Sequence, residues 1–367
     1  MISDPLLLGK REELKRQLTT GEYQTLVDLV LDGTGRLIQR LTRNPKSSSF
    51  WYSTLLITLI TLLTGLLLNA SLPGELSLRS VLIVLPGAGF VLVGYIVYRV
   101  PIHSFFSALR NDILDSIESV ADLTDLQNWL TLVCSKKNAL VFALALGIFA
   151  GLATPVLLPL PPRLIRGGVV DVGLMLTAGM VTTQLGMGVY CLLSFFALPS
   201  RLSRYQFKLY AADPSSSEVI GHLSGLLMRF VYMWGMLIAS ITLVSALLGS
   251  LAGLLSANVI LVLLNWGLLA VLFVIIQLAL AKIIARAKWK TLNEIQSQIE
   301  RLRTQEEIPS EKTLAHLGKL MDYHDRVKAT RNSALDLRSS LSFINSLLLP
   351  LLAFLLANLG EIVALLR

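Results

Sequence analysis

Four histidines, two cysteines and one dense run of carboxylates are the groups in this chain to weigh first for metal, nucleophilic or acid–base chemistry. His103, His222, His316 and His324 are scattered, and none belongs to a His-Glu-x-x-His cluster. His316 and His324 lie eight residues apart. That is about two helical turns, whereas two ligands reaching one zinc from a helix need about one. Cys134 and Cys191 are far apart and form no Cys-x-x-Cys pair, so neither a disulfide nor a redox site is expected. Asp112, Asp115, Glu118, Asp122 and Asp125 crowd into one stretch without the spacing or the glycine that calcium loops use. They read instead as a solvated polar face or as partners of the basic segments. The chain has no Walker A loop, no Gly-x-Gly-x-x-Gly after a strand, and no kinase or hydrolase signature. No catalytic, cofactor-binding or metal-binding residue is therefore assigned, and no cofactor is implied.

The uncharged polar residues are more patterned. Thr54, Thr58 and Thr61 are spaced to share one helix face. Thr182, Thr183 and Gln184 cluster in a second apolar stretch, and Asn345 precedes Pro350 in a third. Such groups could line a neutral path, with carbonyls freed beside the proline. The same groups also bond their own preceding turn or hold helices together, and this is the favoured reading for any single one of them. Gly147-x-x-x-Gly151 and Gly249-x-x-x-Gly253 let helices approach closely. Packing within the chain is preferred here to packing between subunits.

The elements that must position these residues follow from composition. The chain has 367 residues, of which 54% are hydrophobic and only 15% charged, with a mean hydropathy of +0.66. A soluble domain carries about 25% charge, so a soluble enzyme, a disordered chain and a disulfide scaffold are excluded. Six stretches can each cross about 30 Å of hydrocarbon as a helix: 50–70, 80–98, 138–158, 172–198, 230–255 and 259–281. None contains Lys, Arg, Asp, Glu or His in its interior, which argues against a proton-coupled pump. A seventh stretch, 341–366, is interrupted by Pro350 and either spans with a kink or lies in the interface. The first 49 residues are polar and mixed in charge, unlike a signal peptide, so the first span is expected to stay in the mature protein.

Charge sets the expected orientation. Of the 32 Lys and Arg, 28 fall in the segments 1–50, 99–137, 199–229 and 282–340. These segments alternate across six spans onto one side, which the positive-inside rule makes cytoplasmic. The net charge of +8 is thus mainly an orientation signal. Anionic lipid at the inner face is a sufficient partner for it, and nucleic acid is not expected.

The polar segments carry their own signals. Residues 21–43 read as an amphipathic helix broken or bent at Gly33-Thr34-Gly35. Residues 102–136 read as two helices, with Phe105, Leu109, Ile113, Ile117 and Val120 in helical register and a second start at Thr124. In 203–210, Tyr205, Phe207 and Leu209 alternate with Arg204, Gln206 and Lys208, a short strand whose partner is expected from elsewhere, such as another subunit. Leu292, Ile295, Ile299 and Leu302 form a heptad-like seam on a continuation of the sixth span, with a second helix beginning after Pro309.

The expected fold is an all-α polytopic membrane protein of six or seven transmembrane helices under a small helical cytoplasmic cap. Its expected location is a bacterial inner membrane, with the N-terminus in the cytoplasm. Three functions fit: a non-catalytic signalling or scaffolding module, with the cap as surface for a protein partner or a second copy; an oligomeric channel or uncoupled transporter; and a lipid-acting membrane enzyme. The first is preferred because so much of the chain outside the spans reads as packed helix.

Overall fold

A computed structural model describes residues 5–42, 50–71, 78–157, 172–252, 255–305 and 311–331. The seventh apolar stretch, with Asn345 and Pro350, lies outside them, as do Gly253 and the surroundings of Gly249. Eleven α-helices make up the described part: α1 (Pro5–Thr20), α2 (Leu26–Thr42), α3 (Phe50–Ser71), α4 (Leu78–Ala108), α5 (Val120–Val133), α6 (Lys136–Leu157), α7 (Val172–Phe195), α8 (Leu198–Leu202), α9 (Glu218–Ala252), α10 (Leu255–Gln305) and α11 (Glu311–Ala329). Among the described residues, five helical stretches, in α3, α4, α6, α7 and α10, are long and apolar enough to cross a membrane. α9 carries residues 230–252 of the 230–255 stretch, and its side chains from 240 onward fall outside the described part.

The outward faces of these helices are apolar. Leu63 and Leu67 on α3, Ile148 and Leu152 on α6, and Leu264 and Leu278 on α10 are each at least half exposed. In water this surface would cost about 25 cal/mol per Å²; against lipid tails it costs nothing. The chain is a multi-pass helical membrane protein.

One continuous core joins the spans to the polar segments. Its centre is an aromatic knot at one end of the bundle. Phe195 of α7 stacks on Phe230 of α9 at 4.2 Å and meets Phe105 of α4 at 4.8 Å and Trp129 of α5 at 5.2 Å. Among the described residues, all four basic segments meet at this end: Lys15 reaches Asp115, Arg201 reaches Asp125 and Lys290 reaches Glu118. α1 and α2 are joined by a turn at Gly21, whose φ of 76° lies in the left-handed region that glycine adopts freely; α1 packs on α5 and α2 on α3.

Three local expectations are corrected. α2 runs through Gly33-Thr34-Gly35 without a break, because Val27 and Leu31 anchor one face of it in the core. The second helix after α4 begins at Ser119, whose hydroxyl accepts from the Asp122 N–H, and not at Thr124. α4 ends in a wide turn over Leu109–Ile113 and a tight one over Leu114–Ser116, so Ile117 leaves the helical register. Ile117 instead pairs with Phe207 in an antiparallel bridge: Glu118 N–H donates to the Gln206 carbonyl (2.9 Å) and Lys208 N–H to the Ser116 carbonyl (2.7 Å). The partner of the 203–210 segment thus comes from the same chain. Tyr205 and Phe207 are buried beneath it, and Arg204, Gln206 and Lys208 are exposed.

Candidate functional site

Within the membrane the described threonine hydroxyls mostly bond a carbonyl one turn back on their own helix. The Thr58 hydroxyl donates to the Thr54 carbonyl (2.9 Å). The Thr61 hydroxyl lies 2.8 Å from the Ile57 carbonyl and 2.9 Å from Gln184 Oε1, linking α3 to α7. Thr183 back-bonds to the Gly179 carbonyl (2.8 Å). Thr54 is fully buried, and its hydroxyl has no partner among the described residues. Thr182 and Gln184 line a cavity of about 300 Å³ between α4 and α7, whose other walls include Tyr95, Leu185 and Gly188. The cavity is chiefly apolar; the Tyr95 hydroxyl is buried there without a partner among the described residues.

The glycines of α6 meet α7. A Cβ at Gly147 would stand 2.7 Å from the Gly179 carbonyl oxygen and overlap the Thr183 hydroxyl. One at Gly151 would stand 3.0 Å from the Met175 carbonyl oxygen. Backbone meets backbone at this contact, and both helices belong to one chain.

At the basic end, two cavities of about 400 and 310 Å³ share Gln24, Asp32 and Arg99 as walls. They form a groove between α2, α3 and α4 at the level where the first two spans end. Arg36, Phe50 and Ser53 line the first cavity; Asp28, His103 and Arg110 line the second. The Arg99 guanidinium lies over the Phe50 ring at 4.9 Å. Among the described residues, no carboxylate comes within 4.0 Å of Arg36 or Arg99. Asp28 is already engaged: Tyr98 donates to the Thr25 hydroxyl (2.6 Å), which donates to Asp28 Oδ2 (2.7 Å). Thr25 also caps α2 by accepting from the Asp28 N–H (3.2 Å). Thr25-x-x-Asp28 is a capping signature, legible in the sequence; its link to Tyr98 is not.

The acidic run is divided among its neighbours. Lys15 of α1 pairs with Asp115 (2.8 Å), and Arg201 with Asp125 (2.8 Å). Asp122 Oδ2 accepts from the Gln206 N–H (2.8 Å), and Lys290 of α10 lies 3.9 Å from Glu118. Tyr205 donates to Asp125 Oδ2 (2.7 Å); burial, and then this bond to a carboxylate, raise its phenol well above the ordinary range. Arg11 donates to the Ile117 carbonyl. Among the described residues, no three His, Cys, Asp or Glu side chains converge to hold a metal ion. Burial pushes the Cys134 thiol up to about 12, so it is a poor nucleophile.

Farthest from the spans, α10 and α11 form a hairpin with its own small core. Leu292, Ile295 and Ile299 are buried against Val327, with Leu317, Leu320 and Tyr323 packed on them. Leu302 is half-buried and outside that core. The seam's partner is therefore α11. Lys288, only 7% exposed, holds the end of α11: its ammonium donates to the carbonyls of Lys328 (2.7 Å) and Thr330 (2.8 Å). The sequence reading missed this residue, since a lysine at the membrane end of a helix reads as solvated. Leu314 and Met321, on the outer side of the hairpin, are more than half exposed.

No family model matches this chain, and no curated protein or solved structure is significantly similar to it.

Proposed function

We propose that this protein is a non-catalytic membrane module that scaffolds or signals, presenting the α10–α11 hairpin to a cytoplasmic protein partner. We place it in a bacterial inner membrane with the N-terminus inside, on the distribution of 28 of its 32 cations. The observation that carries the reading is α10. It is one uninterrupted helix of 51 residues, about 75 Å at 1.5 Å per residue, against about 30 Å of hydrocarbon. A continuous rod couples the position of the hairpin to the packing of the bundle. The exposed Leu314 and Met321 supply apolar anchors on the hairpin. Thr58 and Thr183 bond their own preceding turns and Thr61 reaches Gln184 across helices, which favours this reading over a pore.

Reconstitution tests it. Liposomes and planar bilayers containing the purified chain should show no ion conductance or solute flux above protein-free controls. Flux that scales with protein content overturns the scaffold reading. In cells, photo-crosslinkers at positions 314 and 321 should yield a discrete protein adduct that a crosslinker at Leu63 does not. Reporter fusions after Ala70 and after Arg338 should lie outside and inside respectively; the opposite result reverses the orientation.

A further inference from the structure

We propose that the groove between α2, α3 and α4 binds the headgroup of an ethanolamine phospholipid, with the phosphate on Arg36 and Arg99 and the ammonium on Asp32. The proposal does not depend on the scaffold reading. It rests first on position. The groove lies where the apolar stretches of α3 and α4 give way to charge, between Phe50 at the start of one and Arg99 at the end of the other. A lipid headgroup lies at this depth while its chains run along the apolar faces of the spans.

It rests next on the charges. Arg36 and Arg99 line one cavity without a carboxylate partner among the described residues, and Arg110 lines the adjoining one. Guanidinium groups match phosphate oxygens through paired N–H donors. The Phe50 ring covers one face of Arg99 and leaves its N–H edge available to a ligand. The groove is not uniformly basic, however. Asp28 is held by Thr25, whereas Asp32 is exposed, lines both cavities and has no cation within ion-pair distance among the described residues. A purely anionic headgroup would meet this carboxylate with repulsion. A zwitterion with a primary ammonium satisfies both signs. Ethanolamine has N–H donors for Asp32 and the side-chain carbonyl of Gln24; choline's trimethylammonium has none. A space of about 400 Å³ accommodates such a headgroup.

The test is lipid titration of the delipidated full chain in detergent, read by native mass spectrometry. Phosphatidylethanolamine, phosphatidylcholine and phosphatidylglycerol with matched acyl chains are compared. The wild type should take up one ethanolamine lipid in preference to either of the others by about tenfold, the worth of one charge-assisted hydrogen bond. R36Q and R99Q should lose ethanolamine-lipid binding by about the same factor. D32N should lose the preference of ethanolamine over choline lipid while gaining affinity for the glycerol lipid. K290Q, at a cation away from the groove, should behave as wild type. Arg36 is exposed, so R36Q tests the phosphate contact even if R99Q disturbs the packing on Phe50. Equal uptake of the three lipids, a wild-type preference for phosphatidylglycerol, or unchanged selectivity in both R36Q and D32N overturns the proposal.

Discussion

Adding one methyl group at Gly147 should loosen the α6–α7 pair, and the structure supplies both sign and size. The new Cβ would lie 2.7 Å from the Gly179 carbonyl oxygen, about 0.6 Å closer than a normal carbon–oxygen contact. It would also overlap the Thr183 hydroxyl. A carbonyl inside a helix cannot rotate away, so the two helices must part. Their second close approach, at Gly151, where a Cβ would stand 3.0 Å from the Met175 carbonyl oxygen, would part with them. Overpacking of this kind costs about 1–3 kcal/mol. Gly89 on α4 is the internal control, because a Cβ there meets nothing within 4 Å. G89A should therefore show only the helix gain of about 0.5–1 kcal/mol. The two substitutions are chemically identical and should shift stability in opposite directions, by a difference of about 1–3 kcal/mol. Unfolding in mixed micelles followed by far-ultraviolet circular dichroism would measure this. The double variant G147A/T183A should recover part of the loss, because the hydroxyl overlap goes and the carbonyl contact stays. If G147A proves as stable as G89A, the close α6–α7 approach is wrong.

Three further predictions address other links. T54V removes a buried hydroxyl with no partner among the described residues and should be neutral or stabilising by up to about 1 kcal/mol, whereas T61V leaves Gln184 without its donor and should cost about 0.5–1.5 kcal/mol in the same unfolding assay. K288M should leave the carbonyls at the end of α11 unpaired. Limited proteolysis should then cut within 311–331 faster while the cleavage pattern of the spans is unchanged, and an unaltered cutting rate would refute the capping role. The hydrogen bond from Ser215 holds the Asp213 carboxyl below its ordinary range, so its stabilisation is present above about pH 4 and lost as pH falls through the depressed value. The stability gap between wild type and D213A should close on acidification across that window, and a gap that widens would contradict the assignment.

Sequence and structure agree where the physics is local. The apolar stretch 50–70 became α3, and the alternation of Tyr205, Phe207 and Leu209 with polar neighbours became an extended segment, because each reflects a period read along a few turns of chain. The second helix expected after Pro309 is α11, described from Glu311. The misreadings have one cause. The helix is not broken at Gly33-Thr34-Gly35, where core contacts of Val27 and Leu31 outweigh a weak local preference. Ile117 keeps a helical spacing but forms a bridge, because 206–208 offers its backbone a partner 90 residues away.

The candidate site divides in the same way. The chain's composition and charge distribution determined the solvent, the helical class and the gathering of cations in four segments, because burial in lipid leaves a signature residue by residue. Tertiary structure alone decided that Thr61 meets Gln184, that Asp115, Glu118, Asp122 and Asp125 are divided among α1, α10 and the 201–206 segment, and that Arg36, Asp32 and Arg99 share one groove. These pairings join residues tens of positions apart. A charge or hydroxyl carries no mark of its distant partner in the sequence; the partner is set by how the helices pack.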